Sequence, residues 1–192
     1  MKWVTRKNAS VDRIACPWLI KRFIDPEAEF LYVPAAEVLA VAEKEGALPY
    51  DIGGVELGHV DGRCSFESIL LKYELTDPAL HRLAKIVHGA DVAADVALTP
   101  EAAGLKAIAH GFAMVHGELD HRKIEPVSFV PVAKADRGLG FEIAFNSEEA
   151  RELLVGNIAG KLNSWGQRIE AHGLEYPRAS FCSGDHKLHF RA

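Results

Sequence analysis

Between Trp3 and Pro34 the hydrophobic period changes twice: strand-like over Trp3 to Arg6, helical through Phe23, and strand-like again over Glu29 to Pro34. The helical stretch can be capped by Ser10 or Asp12, carries Ile14, Trp18, Leu19 and Phe23 at helical spacing, and ends at Asp25-Pro26. A strand, a helix and a strand in so short a segment predict parallel strands joined by a right-handed crossover. The chain therefore opens with a βαβ unit.

The remaining pattern extends this opening. Ala35 to Glu45 reads as a helix closed by Gly46, and Leu48 to Leu57 as an extended stretch broken by Pro49, Gly53 and Gly54. Three helices follow. The first starts at Ser65 with Phe66, Ile69, Leu70 and Tyr73 on one face. The second starts at Asp77-Pro78, buries Leu80, Leu83, Ala84 and Val87, and is expected to stop at Gly89. The third starts at Thr99-Pro100-Glu101 and runs through Ile108, Phe112 and Val115 to about Gly117. From Val127 a strand period returns. Val127 to Val132 and Phe141 to Phe145 form a plausible hairpin, Ala150 to Ala171 a long amphipathic helix, and Ala179 to Arg191 two short strands about Ser183-Gly184-Asp185. The expected fold class is α+β, with residues 1–126 as one domain and 127–192 as an extension packed on the same core, its hairpins completing or extending the sheet.

Composition removes whole classes of function. The 192 residues are 48% hydrophobic and 26% charged, which excludes disorder and coiled coil. Asp and Glu outnumber Lys and Arg, 27 to 22, and a net charge of -5 offers no basic excess for a phosphate backbone, so nucleic-acid binding by the chain itself is not expected. There is no run of eighteen apolar residues, and the N-terminus lacks the apolar core and small-residue cleavage site of a secretory signal, so no membrane partner and a cytoplasmic location are expected. Cys16, Cys64 and Cys182 lie far apart with no C-x-x-C pair, as reduced thiols do.

Four stretches could carry chemistry. In the first, Pro17 at a helix start would make Cys16 the cap residue, in a field that favours the thiolate; a helix starting at Ser10 would make it a core residue. In the second, Glu56 to Glu67, a glycine-flanked loop brings together His59, Asp61, Arg63 and Cys64 before the helix at Ser65. His59 and Glu67 suit a hard or borderline metal, Cys64 a softer one, and Arg63 an oxyanion, as does Arg13. In the third, His81 and His88 are too far apart to chelate and are expected on a solvated face, while Asp91 reaches inward from a loop beyond the glycine stop. His110 reads as a core histidine, and His121 as a weaker ligand. In the fourth, Cys182, His186 and His189 resemble a zinc spacing, but on a hairpin the two histidines point to opposite faces. Phosphate-loop, dinucleotide-binding, serine-hydrolase and H-E-x-x-H motifs are absent from the sequence.

The helices from Ser65 and Pro78 are joined by a short turn and should pack antiparallel, returning Asp91 toward His59 and Glu67. These residues, with His121, form the expected site for a divalent transition metal.

The segments Lys2-Trp3-Val4-Thr5-Arg6, Asp12 to Ile20 (DRIACPWLI), Phe30 to Pro34 (FLYVP), Glu56 to His59 (ELGH), Arg63 to Phe66 (RCSF) and Gly89 to Asp91 resemble, in order and spacing, the chromate-resistance ChrB family. The resemblance is to its C-terminal domain and covers roughly residues 2–117. It implies a role in chromate or heavy-metal resistance. Longer members of the family are regarded as regulators with a separate N-terminal DNA-binding region, and direct DNA regulation is not expected of a chain that begins at the Lys2-Trp3 motif. Two readings follow. One is a binding or sensory module holding a metal ion or small oxyanion, with residues 127–192 as an effector or homo-oligomer surface. The other is a metal-dependent redox or hydrolytic enzyme with Cys16 or Cys64 as the thiol participant.

Overall fold

The structure is a computed structural model that describes residues 1–116, 118 and 119, and the backbone of four later strands at 127–134, 138–145, 179–181 and 187–190. Strand β1 (Lys2–Arg6) pairs in parallel with β2 (Glu29–Val33) along its whole length and with the short β3 (Leu48–Pro49) on its other edge. The sheet order is β2-β1-β3. Helices α1 (Val11–Phe23) and α2 (Val38–Glu45) make the crossovers, the first as the opening of the sequence predicts. The extended stretch expected to reach Leu57 forms a strand only at Leu48–Pro49; beyond it the chain turns back on itself.

Strand β1 is buried on both faces, the usual fate of the central strand in a parallel sheet. Trp3 joins the main core with Leu19, Ile20, Phe66 and Ile69, while Val4 points the other way to Val38 and Ala47. Helices α3 (Ser65–Lys72), α4 (Pro78–Asp91) and α5 (Ala102–His116) complete the main core. Asp77 caps α4 by accepting the Ala79 N–H at 2.7 Å, with Pro78 at the first helical position.

Gly89 does not end α4, which continues to Asp91. A Cβ on Gly89 would lie 2.9 Å from both the Ala102 Cβ and the Asp95 carbonyl oxygen, so the residue is a close-packing point against α5 and the 3-10 turn Ala93–Asp95. A helix-stopping role and a close-approach role look the same in one sequence, and tertiary packing decides between them.

The later strands β4 (Val127–Lys134), β5 (Gly138–Phe145), β6 (Ala179–Phe181) and β7 (Lys187–Phe190) form an antiparallel sheet ordered β4-β5-β7-β6. The expected hairpin is there as β4 and β5. These strands pair among themselves, however, and do not complete or extend the first sheet. The long helix expected over 150–171 lies outside the described residues, as do His121, Cys182 and His186. Taken together, the described residues show a mixed helix-and-strand protein with five α-helices and a three-stranded parallel sheet. No helix among them is long and apolar enough to cross a membrane.

Candidate functional site

In the order β2-β1-β3 the crossover through α1 leaves to one side of β1 and the crossover through α2 returns on the other. The carboxyl ends of β1 and β3 therefore flank a topological switch point, where open α/β sheets bind ligands. Polar residues gather there. Arg6 ends β1, Asp12 and Arg13 lie in the first turn of α1, and Asp51 follows β3. Asp51 takes a left-handed backbone (φ 49), which Asp tolerates better than most residues.

Asp51 is the anchor. Arg6 donates from Nε to its carbonyl at 3.0 Å and from its terminal nitrogen to Oδ2 at 3.1 Å, and Arg13 Nε approaches Oδ2 at 2.9 Å. Arg13 Nε also donates to Ser10 Oγ at 2.7 Å, so this residue, expected to bind an oxyanion, is committed to a buried ion pair. Burial holds the Asp51 carboxyl above its usual range despite the two guanidinium groups.

Two further elements enclose the anchor. The loop after β3 closes through Asp51 N–H to the Leu57 carbonyl at 3.1 Å, and Gly58 then passes under it. A Cβ at Gly58 would sit 2.3 Å from the Ile52 carbonyl oxygen, so only glycine allows this approach. Ser68 Oγ donates to the Gly58 carbonyl at 2.8 Å and ties the loop to α3. The next residue, His59, is thereby delivered to the switch point. Its Nε2 lies 3.0 Å from Asp91 Oδ2, 3.5 Å from Asp12 Oδ2 and 3.8 Å from Asp51 Oδ1.

Asp12 is fully buried. Its Oδ2 accepts the Ser65 N–H at 2.6 Å, at the start of α3, while its Oδ1 has no hydrogen-bond partner. Asp91 reaches the same spot from the last turn of α4, as the antiparallel return of α3 and α4 requires, although from inside the helix and not from a loop. Burial raises the pKa of Asp12 and of Asp91, and a neighbouring carboxylate adds to each, Asp51 to Asp12 and Asp12 to Asp91, while the pairing with His59 works against both. His59 moves the other way in charge: its pairing with Asp12, and then with Asp91 and Asp51, outweighs its desolvation and lifts it to about 9. In the metal-free protein, then, an imidazolium sits among three crowded carboxylates.

Glu67 belongs elsewhere. It accepts the Cys64 N–H at 2.9 Å and pairs with His88 Nδ1 at 2.6 Å, while His88 Nε2 pairs with Asp95 at 3.1 Å. His88, expected on a solvated face, is instead nearly buried between two carboxylates; His81, two turns earlier on the same side of the helix, is exposed as expected. His110, expected in the core, is exposed. Two groups of metal-compatible donors result among the described residues, Asp12, His59 and Asp91 in one and Cys64, Glu67 and His88 in the other, each with its ligand atoms within 4.8 Å of one another.

Because α1 begins at Val11, Pro17 lies inside the helix and Cys16 is a fully buried mid-helix residue. Burial pushes both the Cys16 and the Cys64 thiols up, against the activated-thiolate alternative. Arg63 pairs with Asp61 at 2.9 Å across the turn between His59 and Cys64, and its Nε is buried without a hydrogen-bond partner.

Asp12, Asp51, His88 and Asp95 were not legible as site residues. Asp12 has the sequence position of a helix cap, and the only available signal for Asp51 is a lone acid between Tyr50 and a Gly-Gly turn that ends a short strand.

Comparison with known proteins agrees with the motif pattern. A family model described as ChrB, C-terminal domain, matches residues 3–130, which include every residue of both donor groups. Protein ChrB of Cupriavidus metallidurans is 39% identical over 113 residues, amounting to 57% of this chain and 32% of that relative. The chain thus matches about a third of the relative's length. No solved structure matches it.

Proposed function

The chain belongs to the ChrB C-terminal domain family, which associates it with chromate resistance, and from that premise we propose that it is a metal-binding module holding a divalent first-row transition ion on Asp12, His59 and Asp91. The observation that carries this reading is the fully buried Asp12, whose Oδ1 has no partner and whose Oδ2 lies 3.5 Å from the imidazole that a second carboxylate, Asp91, also approaches. A buried carboxylate oxygen without a donor is costly unless something else satisfies it. Charge balance favours the same answer. Both guanidinium groups of the site go to Asp51, so His59 is the cation in direct contact with both Asp12 and Asp91. A divalent ion bound to neutral His59 offsets those two carboxylates fully, whereas the imidazolium offsets one of them.

One nitrogen and two oxygen donors suit borderline ions such as cobalt(II) or nickel(II), and leave coordination positions for water or a small oxyanion. Asp51, held by Arg6 and Arg13, would fix the geometry from behind without itself being a ligand. The His59 proton leaves when the ion arrives, so binding strengthens as pH rises.

The test is calorimetric titration of nickel(II) into chain purified without an affinity tag and stripped with a chelator. His59→Ala and Asp91→Asn should each remove one bound equivalent relative to the parent chain. If both variants bind as many equivalents as the parent, the assignment is wrong.

A further inference from the structure

The second donor group meets the first at the start of α3 and differs from it in chemistry. Ser65 N–H is bound to Asp12, whereas the preceding N–H, that of Cys64, is bound to Glu67. Successive amides at the start of α3 thus serve two separate clusters.

Part of the second cluster is ordinary helix capping. Glu67 at the third position of α3 reaches back to the Cys64 N–H, and the Cys64 sulfur accepts the Glu67 N–H in return, the two halves of a capping box. Capping does not explain the rest. Cysteine is not a favoured cap residue, since Ser, Thr, Asp and Asn serve better, yet here a fully buried thiol takes the position. His88 is also held on both ring nitrogens, by Glu67 at 2.6 Å and by Asp95 at 3.1 Å. A histidine with one nitrogen among a thiol and a carboxylate, and the other fixed by a second carboxylate, has the arrangement of a metal-ligating imidazole. Asp95 is brought there by the 3-10 turn that packs on Gly89, where any side chain would collide with it.

We propose that Cys64, Glu67 and His88 form a second metal site, specific for a thiophilic divalent cation of the zinc class, with Asp95 as the positioning residue for His88. The sulfur, nitrogen and oxygen donors suit a softer ion than the first cluster does. Around a tetrahedral ion with bonds of about 2.0 to 2.3 Å, ligand atoms stand about 3.5 Å apart. The three donor atoms already lie within 4.8 Å of one another. The hydrogen bond between His88 Nδ1 and Glu67 then opens by about 1 Å. The ion replaces the Cys64 thiol proton and the proton shared by His88 and Glu67; both go to solvent, no electrons are transferred, and the fourth position is left to water.

Cobalt(II) serves as the probe, titrated into the tag-free, chelator-stripped full chain while the thiolate-to-cobalt charge-transfer band is followed. The parent should show the band and lose it on addition of zinc. Cys16→Ser, Cys182→Ser and His59→Ala should keep it, and Cys64→Ser should abolish it. Asp95→Asn should raise the cobalt dissociation constant read from this band by roughly 10- to 100-fold, and His88→Ala by at least as much. Circular dichroism establishes that each variant is folded, and if Cys64→Ser is not, His88→Gln and Asp95→Asn carry the test. The proposal is overturned by a parent without the band at excess cobalt, by a band that survives Cys64→Ser, or by affinities unchanged in the His88 and Asp95 variants. Because the band reports sulfur, loss of the first cluster leaves it in place, and the two assignments fail separately.

Discussion

Asp12 does two jobs whose costs are opposed. Its Oδ2 satisfies the first amide of α3, and its charge crowds Asp51 and Asp91. Asp12→Ala leaves the buried Ser65 N–H unpaired and should cost about 1–3 kcal/mol in urea unfolding of the metal-free chain. Asp12→Asn keeps an acceptor and removes a charge, so it should be at least as stable as the parent while binding metal more weakly. An Asn variant as unstable as the Ala variant would show that the charge itself holds α1 to α3. The same crowding sets the pH response. His59 is raised from 6.5 to about 9, so its ion pairs contribute fully below pH 6.5 and are lost as pH rises through 9. Asp12, Asp51 and Asp91 are raised above 3.8, so the folded chain holds more protons than the unfolded chain just above that value, and their burial weighs more as pH rises. The urea midpoint of the metal-free chain should therefore fall between pH 6.5 and 9, and less steeply in His59→Gln; equal slopes would contradict the assignment. His59 and Asp91 could be read from the sequence because loop glycines and a short helix connection are local signals. Asp12 could not, since what makes it a site residue is an amide 53 positions away.

At the scale of elements, α3 and α4 organise both clusters. The amino end of α3 offers amides to carboxylates, and the carboxyl end of α4, where the helix dipole is negative, holds His88 and Asp91 beside them. Cations are favoured on the α4 side of this junction and anionic ligands on the α3 side. Helix spacing in the sequence placed both elements correctly, because their apolar stripes are long enough to be unambiguous. The end of α4 was misplaced for a physical reason: glycine at position 89 is required by a neighbouring helix, which a local pattern does not record. Gly89→Ala improves helix propensity by at most about 1 kcal/mol, but forces a Cβ against Ala102 and the Asp95 carbonyl, an overpacking cost of about 1–3 kcal/mol. Thermal unfolding should show a net loss of stability, and cobalt binding at the Cys64 cluster should weaken with it because Asp95 is displaced. A stabilised variant would mean that α5 yields easily.

For the whole molecule, the parallel pairing of β1 and β2 can be anticipated from the first thirty-odd residues, whereas the separateness of the second sheet cannot, since alternation identifies a strand without naming its partner. The net charge of -5 leads to the expectation of no salt-sensitive retention on duplex DNA by this chain alone at physiological ionic strength, measurable by electrophoretic shift. The donors of the first cluster come from the start of α1, the loop after β3 and the end of α4. No local stretch of the unfolded chain holds all three, so an ion held as proposed would recognise only the finished fold. Free metal would then be a thermodynamic brace. At a concentration one hundred times its dissociation constant it adds about 2.7 kcal/mol, or roughly 5–10 °C in melting temperature for a chain of this size. A cell rich in the ion would accumulate the protein by sparing it from proteolysis, with no change in its synthesis.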